Sequence, residues 1–433
     1  MKTVLITAYA INPYKGSEDA MGWQMIRQAA RHHRVIAATR KNNQTHIENY
    51  LQANNEDKLM QRIQFLYFDW PSWLLVWKKG PLLSMIYYYG WQLTLALWLL
   101  RKKPAADLVH NLNFHNDWTP SFLWLLGKPM IWGHVGHHNK IPRQYLLHIY
   151  GWKEYIKDRC LWFIKKLFWN LDPFLYICKK KAAAIICMNK DAVQALRLTD
   201  RFIVHPSVAA ELPTRSESVV NDSFTVLSAG RFVPLKGFDL TVKSFASFYK
   251  MLTVEQQQKV KLVLTGSGPA EALLKKIVKE ECIQHAVTFI KWVPRKDMQQ
   301  LYSNASVFLY PSHEGAGMVV PEAMSYEVPV ICLSNNGPGS LVPPESSLAI
   351  TQNTYQNTIK ALAGRLHYLF TSPQGMIWEK HLAAQRYTQL FQWNVRGEML
   401  REVYQQASGN NTSSNTNALI YEKEKDLRYT PAQ

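Results

Sequence analysis

Short apolar runs alternate along this chain with longer segments whose apolar positions recur every three or four residues. Residues 3–8 (TVLITA) and 34–39 (RVIAAT) read as buried strands on either side of a helix from about residue 19 to 31. Further runs at 63–68, 106–110, 129–133 and 182–188 end near Gly, Pro or polar residues, and the last leads into an Asn-Lys-Asp helix start. The alternation stops at 205–223 (HPSVAAELPTRSESVVNDS), a stretch rich in Pro, Ser and charge. It restarts with runs at 224–228, 261–265, 287–290, 307–310 and 329–333, each preceding a helical stretch. Strand–helix alternation in both halves predicts an α/β protein with parallel sheets, in two units joined by a linker. Ligands of such sheets bind at the loops after the strand C-termini, so a crevice between two units is the expected site.

Composition narrows the picture. At 433 residues the chain suits two domains of roughly 200 residues each. Its 47% hydrophobic and 19% charged content is that of a globular protein, apart from residues 409–433, which are polar, aperiodic and read as disordered. A net charge of +18 calls for an anionic partner: a phosphorylated substrate, an anionic lipid surface or nucleic acid. No nucleic-acid-binding module is recognisable, which favours the first two. The five cysteines form no C-x-x-C pair, and the three that sit in apolar runs read as buried, reduced thiols of a cytoplasmic protein. The first residues run straight into a Pro-Tyr-Lys-Gly turn and read as a strand rather than a secretory signal.

Two segments bear on membranes. Residues 81–100 (PLLSMIYYYGWQLTLALWLL) carry no charge and are bounded by basic residues on both sides. Their length admits a transmembrane helix, whereas Gln92, Gly90 and three adjacent tyrosines favour a buried or interfacial one. In 151–171, Trp152, Tyr155, Ile156, Phe163, Leu167 and Leu171 recur at three- and four-residue steps, with Lys153, Lys157, Lys165 and Lys166 on the other side. From 150 to 181 eight Lys/Arg stand against three Asp/Glu. That pattern suits a helix on anionic lipid and equally a helix packed on the domain surface.

The chemistry concentrates in the second half. In Ser312-His-Glu-Gly-Ala-Gly-Met-Val-Val-Pro-Glu, Glu314 and Glu322 are separated by seven residues, on a loop whose Gly315 and Gly317 admit close backbone approach to a ligand. Two acceptor carboxylates so placed suit a polyhydroxylated ligand. Upstream, Ser228-Ala-Gly-Arg-Phe-Val-Pro-Leu-Lys-Gly carries Arg231 and Lys236 in a strand-to-helix turn. Arg as a bidentate donor and Lys as a point charge can hold a diphosphate there. Leu264-Thr-Gly-Ser-Gly-Pro, with Gly266, is a third such turn.

Together these segments resemble glycosyltransferase family 4, the retaining GT-B enzymes, from about Ser228 to Gly339 and more loosely over the whole chain. The resemblance implies two Rossmann-like domains facing across a donor-binding cleft: an acceptor-side domain at 1–205, a linker at 206–223, a nucleotide-sugar domain at 224–392, and a helix at 393–408 packing back on the first domain. By position, Arg231 and Lys236 would grip the donor diphosphate, Glu314 the sugar and Glu322 the ribose. Gly266, Gly317, Met318 and Val319 would line the donor, and Trp292 and Val293 the base. Tyr14-Lys-Gly-Ser-Glu-Asp-Ala-Met-Gly-Trp resembles the early glycine loop of a bacterial polysaccharide-assembly subgroup, so Gly16 and Ser17 would approach the phosphates.

Ile131-Trp-Gly-His-Val-Gly-His-His-Asn-Lys resembles a segment that usually reads G-P-V-G-G-G. His134 replaces its Pro, and His137 and His138 replace Gly, where a bulky residue tolerates positive φ poorly. Family members place a His over the donor sugar just after this strand, and His134 fits by position, with His137 second. A second departure, Tyr326-Glu327 where Gly is usual, falls at a helix C-cap.

The resemblance implies a hexosyl transfer to a saccharide acceptor, lipid-linked in cell-surface polysaccharide assembly, by an enzyme peripheral to the inner face of the cytoplasmic membrane. No Asp-x-Asp metal clamp occurs, so the expected chemistry needs neither metal nor cofactor. No G-x-G-x-x-G or G-x4-G-K-[ST] is complete, which disfavours dinucleotide and P-loop enzymes. The scattered histidines lack a zinc-motif spacing. A nucleotide-sugar epimerase or a catalytically silent sugar-binding protein on the same fold stays open, as do the donor sugar and its nucleotide.

Overall fold

The computed structural model describes residues 1–78, 80–112, 115–213, 223–291 and 293–409. Trp292, linker residues 214–222 and the tail from 410, read from sequence as disordered, lie outside the described residues.

Seven strands form one parallel sheet: β1 (Thr3–Thr7), β2 (Arg34–Thr39), β3 (Ile63–Tyr67), β4 (Leu108–Asn111), β5 (Met130–Val135), β6 (Ala182–Cys187) and β7 (Phe202–Val204). A second parallel sheet holds β8 (Phe224–Ala229), β9 (Val260–Thr265), β10 (Val287–Ile290), β11 (Val307–Tyr310), β12 (Val330–Leu333) and β13 (Ala349–Ile350). The orders are β3-β2-β1-β4-β5-β6-β7 and β10-β9-β8-β11-β12-β13. Each is a doubly wound, Rossmann-like sheet whose direction of winding reverses beside its first strand, between β1 and β4 in one and between β8 and β11 in the other. Helices cover both faces, so the strands read as continuous apolar runs such as Val-Leu-Ile in β1. The strands β7 and β13, three and two residues long, are too short to show in the apolar pattern.

The chain divides into two compact units: 1–137, 163–207 and the chain from 393 in one, 138–162 and 208–392 in the other. Sequence order alone groups 138–162 with residues 1–205; its contacts lie with the second unit. Ile141, Tyr145 and Leu146 join the core formed by Phe238, Leu240 and Phe245. Tyr150 and Tyr355 both donate to the buried Asp239 carboxylate, at 2.8 and 2.9 Å, and burial pushes that carboxyl up from its ordinary value. The last helix, Trp393–Ser408, lies on the helix Ser17–His32, where Gly397 allows close approach: a Cβ there would stand 2.9 Å from Gln28 Oε1.

The uncharged segment forms the helix Gly80–Lys102, which buries Tyr87, Tyr88, Trp91, Gln92, Leu95 and Leu99 in the first unit. Among the described residues no helix is long and apolar enough to cross a membrane. The helix Arg143–Leu171 kinks at Gly151, whose φ is 82°. Cys178, Cys187 and Cys332, the three in apolar runs, are buried thiols, while Cys160 and Cys282 are exposed.

Two backbone departures resolve simply. In the histidine-bearing segment the positive φ falls on Gly133, where a Cβ would sit 2.2 Å from Ile186 O, and none of the three histidines needs it. Glu327 does adopt a left-handed φ of 60°. It closes the helix Val319–Ser325 in a Schellman motif, with Glu327 N–H donating to Met324 O and Val328 N–H to Ala323 O.

Candidate active site

The site of the second unit is built where its sheet reverses. The loop after β8 ends in the turn Pro234–Lys236, and Gly237 follows with φ 68°. A Cβ on Gly237 would meet Pro311 O at 2.1 Å, so only glycine lets this loop lie backbone to backbone against the loop after β11. That contact carries Lys236 over the end of β11. Its Nζ stands 2.6 and 2.8 Å from the two Glu314 carboxylate oxygens and 2.6 Å from Tyr310 Oη. Tyr310 also donates to Glu314. Burial, then the facing carboxylate, pushes the Tyr310 phenol well above its ordinary value, so it stays a donor. Glu314 is 7% exposed, which makes the Lys236 charge its electrostatic counterweight.

The Glu314 loop is held from every side. Glu314 N–H donates to Ser312 Oγ, and Ser312 Oγ donates to Leu235 O. Asn335 Nδ2 donates to Ser312 O, and Gly337 comes so close that a Cβ would lie 1.8 Å from Glu314 O. Gly315 N–H donates to His138 Nδ1 at 2.8 Å. A ring nitrogen that accepts carries no proton, so this bond requires His138 unprotonated at Nδ1.

Arg231 lies in the loop just after β8, exposed, and its side chain makes no ion pair or hydrogen bond among the described residues. Gly266 follows β9 with φ 142°, and a Cβ there would meet Gly230 O at 1.9 Å. The Arg231, Lys236, Gly266 and Glu314 loops thus share the C-terminal edge of one sheet. Gly317, Met318 and Val319 lead into the helix Val319–Ser325, and Glu322, in its first turn, accepts from Tyr302 Oη at 3.0 Å. Val293 lies beyond the end of β10, and Trp292 is outside the described residues.

The remaining predicted residues belong to the first unit. Gly16 precedes the helix Ser17–His32, and Ser17 takes a left-handed φ of 57°. At this sheet's reversal His115 Nδ1 stands 3.4 Å from Glu18 Oε1. His134, in β5, is 1% exposed, and neither ring nitrogen has a hydrogen-bond partner among the described residues. Burial, reinforced by His205, His115 and His110, holds its pKa well below the ordinary histidine value. His137 Nδ1 is 2.7 Å from Asp117 Oδ2, with both side chains buried. Among the described residues no group of three His, Cys, Asp or Glu could hold a metal.

Sequence reasoning missed Tyr310 and His138 as site residues. Tyr310 reads as the last apolar position of a strand. His138 lies 177 residues from Gly315, and no local signal joins them.

Residues 213–388 match the family described as "Glycosyl transferases group 1". Over 93 residues the chain is 32% identical to the O-antigen chain mannosyltransferase B of Escherichia coli, covering 21% of this chain and 24% of that one. It is 28% identical over 174 residues to a GDP-mannose-dependent alpha-(1-6)-phosphatidylinositol monomannoside mannosyltransferase of Mycobacterium tuberculosis, covering 38% of this chain and 43% of that one. The chain thus matches less than half the length of either relative. In fold it is similar to Anabaena Alr3699/HepE, solved in complex with UDP and glucose, with a TM-score of 0.61 at 14% identity over 94% of this chain and all of that one. The chain accordingly carries the GT-B fold of two Rossmann-like units, and its second unit is related to the group 1 glycosyl transferases.

Proposed function

We propose that this chain is a retaining glycosyltransferase that moves a hexosyl group from a nucleotide diphosphate-sugar to a lipid-linked saccharide in bacterial cell-surface polysaccharide assembly. The observation that carries this reading is the Lys236–Glu314 pair, a cation and a carboxylate locked together where a Rossmann sheet reverses. Loss of the nucleoside diphosphate builds charge on its β-phosphate. Arg231, Lys236 and backbone N–H groups supply that stabilisation, with no metal called for. Glu314 accepts from sugar hydroxyls and Glu322 from the ribose diol. Gly16, Ser17, Gly266, Gly317, Met318, Val319 and Val293 line the donor. We assign His134 to the reacting sugar, because its buried ring keeps two unpartnered nitrogens, with His137 as second choice.

The names of two relatives support the acceptor class: one is an O-antigen chain mannosyltransferase, the other a phosphatidylinositol monomannoside mannosyltransferase. Peripheral attachment to the inner face of the cytoplasmic membrane fits the helix Arg143–Leu171, which leaves Trp152, Ile156, Phe163 and Leu171 exposed among lysines.

A thermal-shift panel of UDP- and GDP-hexoses, followed by a nucleoside diphosphate release assay, tests the reading. The expected result is stabilisation by one donor and release only when a membrane-extracted saccharide acceptor is added. Epimerisation without release, or binding with no turnover under any acceptor, contradicts it.

A further inference from the structure

The helix Gly80–Lys102 buries only one side. Its outer side carries Ile86, Leu93, Leu97 and Leu100, at steps of seven, four and three residues, which places them on one stripe. Ile86 is 54% exposed and Leu97 and Leu100 are 43% each, opposite the buried Tyr88, Leu95 and Leu99.

Both flanks of this stripe adjoin further exposed apolar groups of the first unit. On one flank Trp70 lies over Gly90 and donates to Thr94 Oγ1 at 2.7 Å. Its loop continues into Trp73 and Val76, which are 72% and 70% exposed, and the Trp77 ring lies tilted against Trp70 with centroids 6.4 Å apart. On the other flank Tyr89 packs on Phe168 and donates to Asp172 Oδ2 at 2.9 Å. Next to those residues, Leu167 and Leu171 are 40% and 72% exposed. Loop, stripe and helix end therefore form one apolar band. Basic residues edge it: Arg101 and Lys102 follow Leu100, and Lys166 precedes Leu167.

Resting on the membrane contact proposed above, we infer that this band is the surface that enters an anionic bilayer, with the helix Gly80–Lys102 lying in the plane of the interface. Tryptophans at one margin prefer the headgroup level, and flanking Lys and Arg reach anionic headgroups while their stems cover apolar surface. A helix that gives one side to the core and the other to lipid explains an uncharged segment of spanning length that does not span. It also assigns the basic amphipathic helix an accessory role, electrostatic attraction beside apolar insertion.

Co-sedimentation of the full chain with phosphatidylcholine vesicles, with and without phosphatidylglycerol, tests this. The variants are Trp73→Ser/Trp77→Ser, Ile86→Ser/Leu97→Ser and Lys165→Glu/Lys166→Glu, with the equally exposed Ile377→Ser/Trp378→Ser as control. Each apolar pair should weaken binding to anionic vesicles about tenfold and persist in doing so at high salt, while the control binds as wild type. Binding lost only in the lysine variant overturns the inference and leaves the membrane reading standing. Wild-type self-association that the apolar variants abolish, with vesicle binding intact, makes the band an interface between copies and also overturns it. A wild type that ignores both vesicles removes the inference and the membrane reading together, while the nucleotide-sugar panel judges the donor site separately.

Discussion

Lys236 Nζ and Glu314 Oε2 lie 2.6 Å apart, joining two loops that are 78 residues apart in sequence. The cation proposed for the diphosphate and the carboxylate proposed for the sugar therefore hold one another. Removing either changes the environment of both.

That coupling separates two cations that the motif treats alike. Lys236→Ala strands a buried carboxylate and should destabilise the protein by about 3 kcal/mol, read by urea denaturation. Arg231→Ala, at an exposed position, should leave stability unchanged and lower turnover by about 10²–10³. Equal loss of stability in the two variants, or normal turnover in Arg231→Ala, contradicts the assignment.

His138 supplies a second separation. Asn places its Oδ1 as many bonds from the backbone as His places Nδ1, so His138→Asn keeps an acceptor for Gly315 N–H that His138→Ala lacks. Titration calorimetry should show His138→Ala weakening nucleotide-sugar binding about tenfold, with little change for the nucleoside diphosphate alone. His138→Asn should recover most of the difference. Parallel losses for both ligands would mean that the bond does not position the Glu314 loop toward the sugar as proposed.

Much of this was legible from residues. The runs that became β8, β9 and β11 end in Gly or Pro turns, and those turns carry Arg231, Lys236, Gly266 and Glu314. The glycine requirements are local too, and even the Glu327 C-cap showed as a departure from glycine. What stayed hidden is long-range. Nothing near residues 138–162 announces that Tyr150 will meet Asp239 or that Tyr145 will donate to Asn353 O, so sequence order alone assigned the segment to the wrong neighbours. The apolar stripe of the helix Gly80–Lys102 was invisible because every position from 81 to 100 is uncharged, and only burial distinguishes its two sides.

Glu327 pays a steric cost for its left-handed φ. Glu327→Gly should raise stability by about 1 kcal/mol, seen as a higher Tm, because glycine adopts that conformation freely. A lower Tm would show that the Glu327 side chain contributes more than the strain removes.

Acid should weaken the fold through its buried imidazoles. Burial pulls His110 and His313 down to about 4. The unfolded chain binds those protons near the ordinary value of about 6.5, so the folded state keeps its full advantage above that value and loses it as pH falls toward 4. Denaturation should show about 2 kcal/mol less stability per histidine at about pH 5 than at pH 7, and His313→Gln should reduce the slope. A flat profile contradicts buried neutral rings.

The most direct test is a crystal structure of the wild-type protein with the nucleoside diphosphate of whichever donor the thermal-shift panel selects. The predicted density places the diphosphate within hydrogen-bonding distance of Arg231 and Lys236, with the ribose on Glu322. A nucleotide bound away from the loops after β8 and β11, leaving Lys236 and Glu314 untouched, would contradict the account.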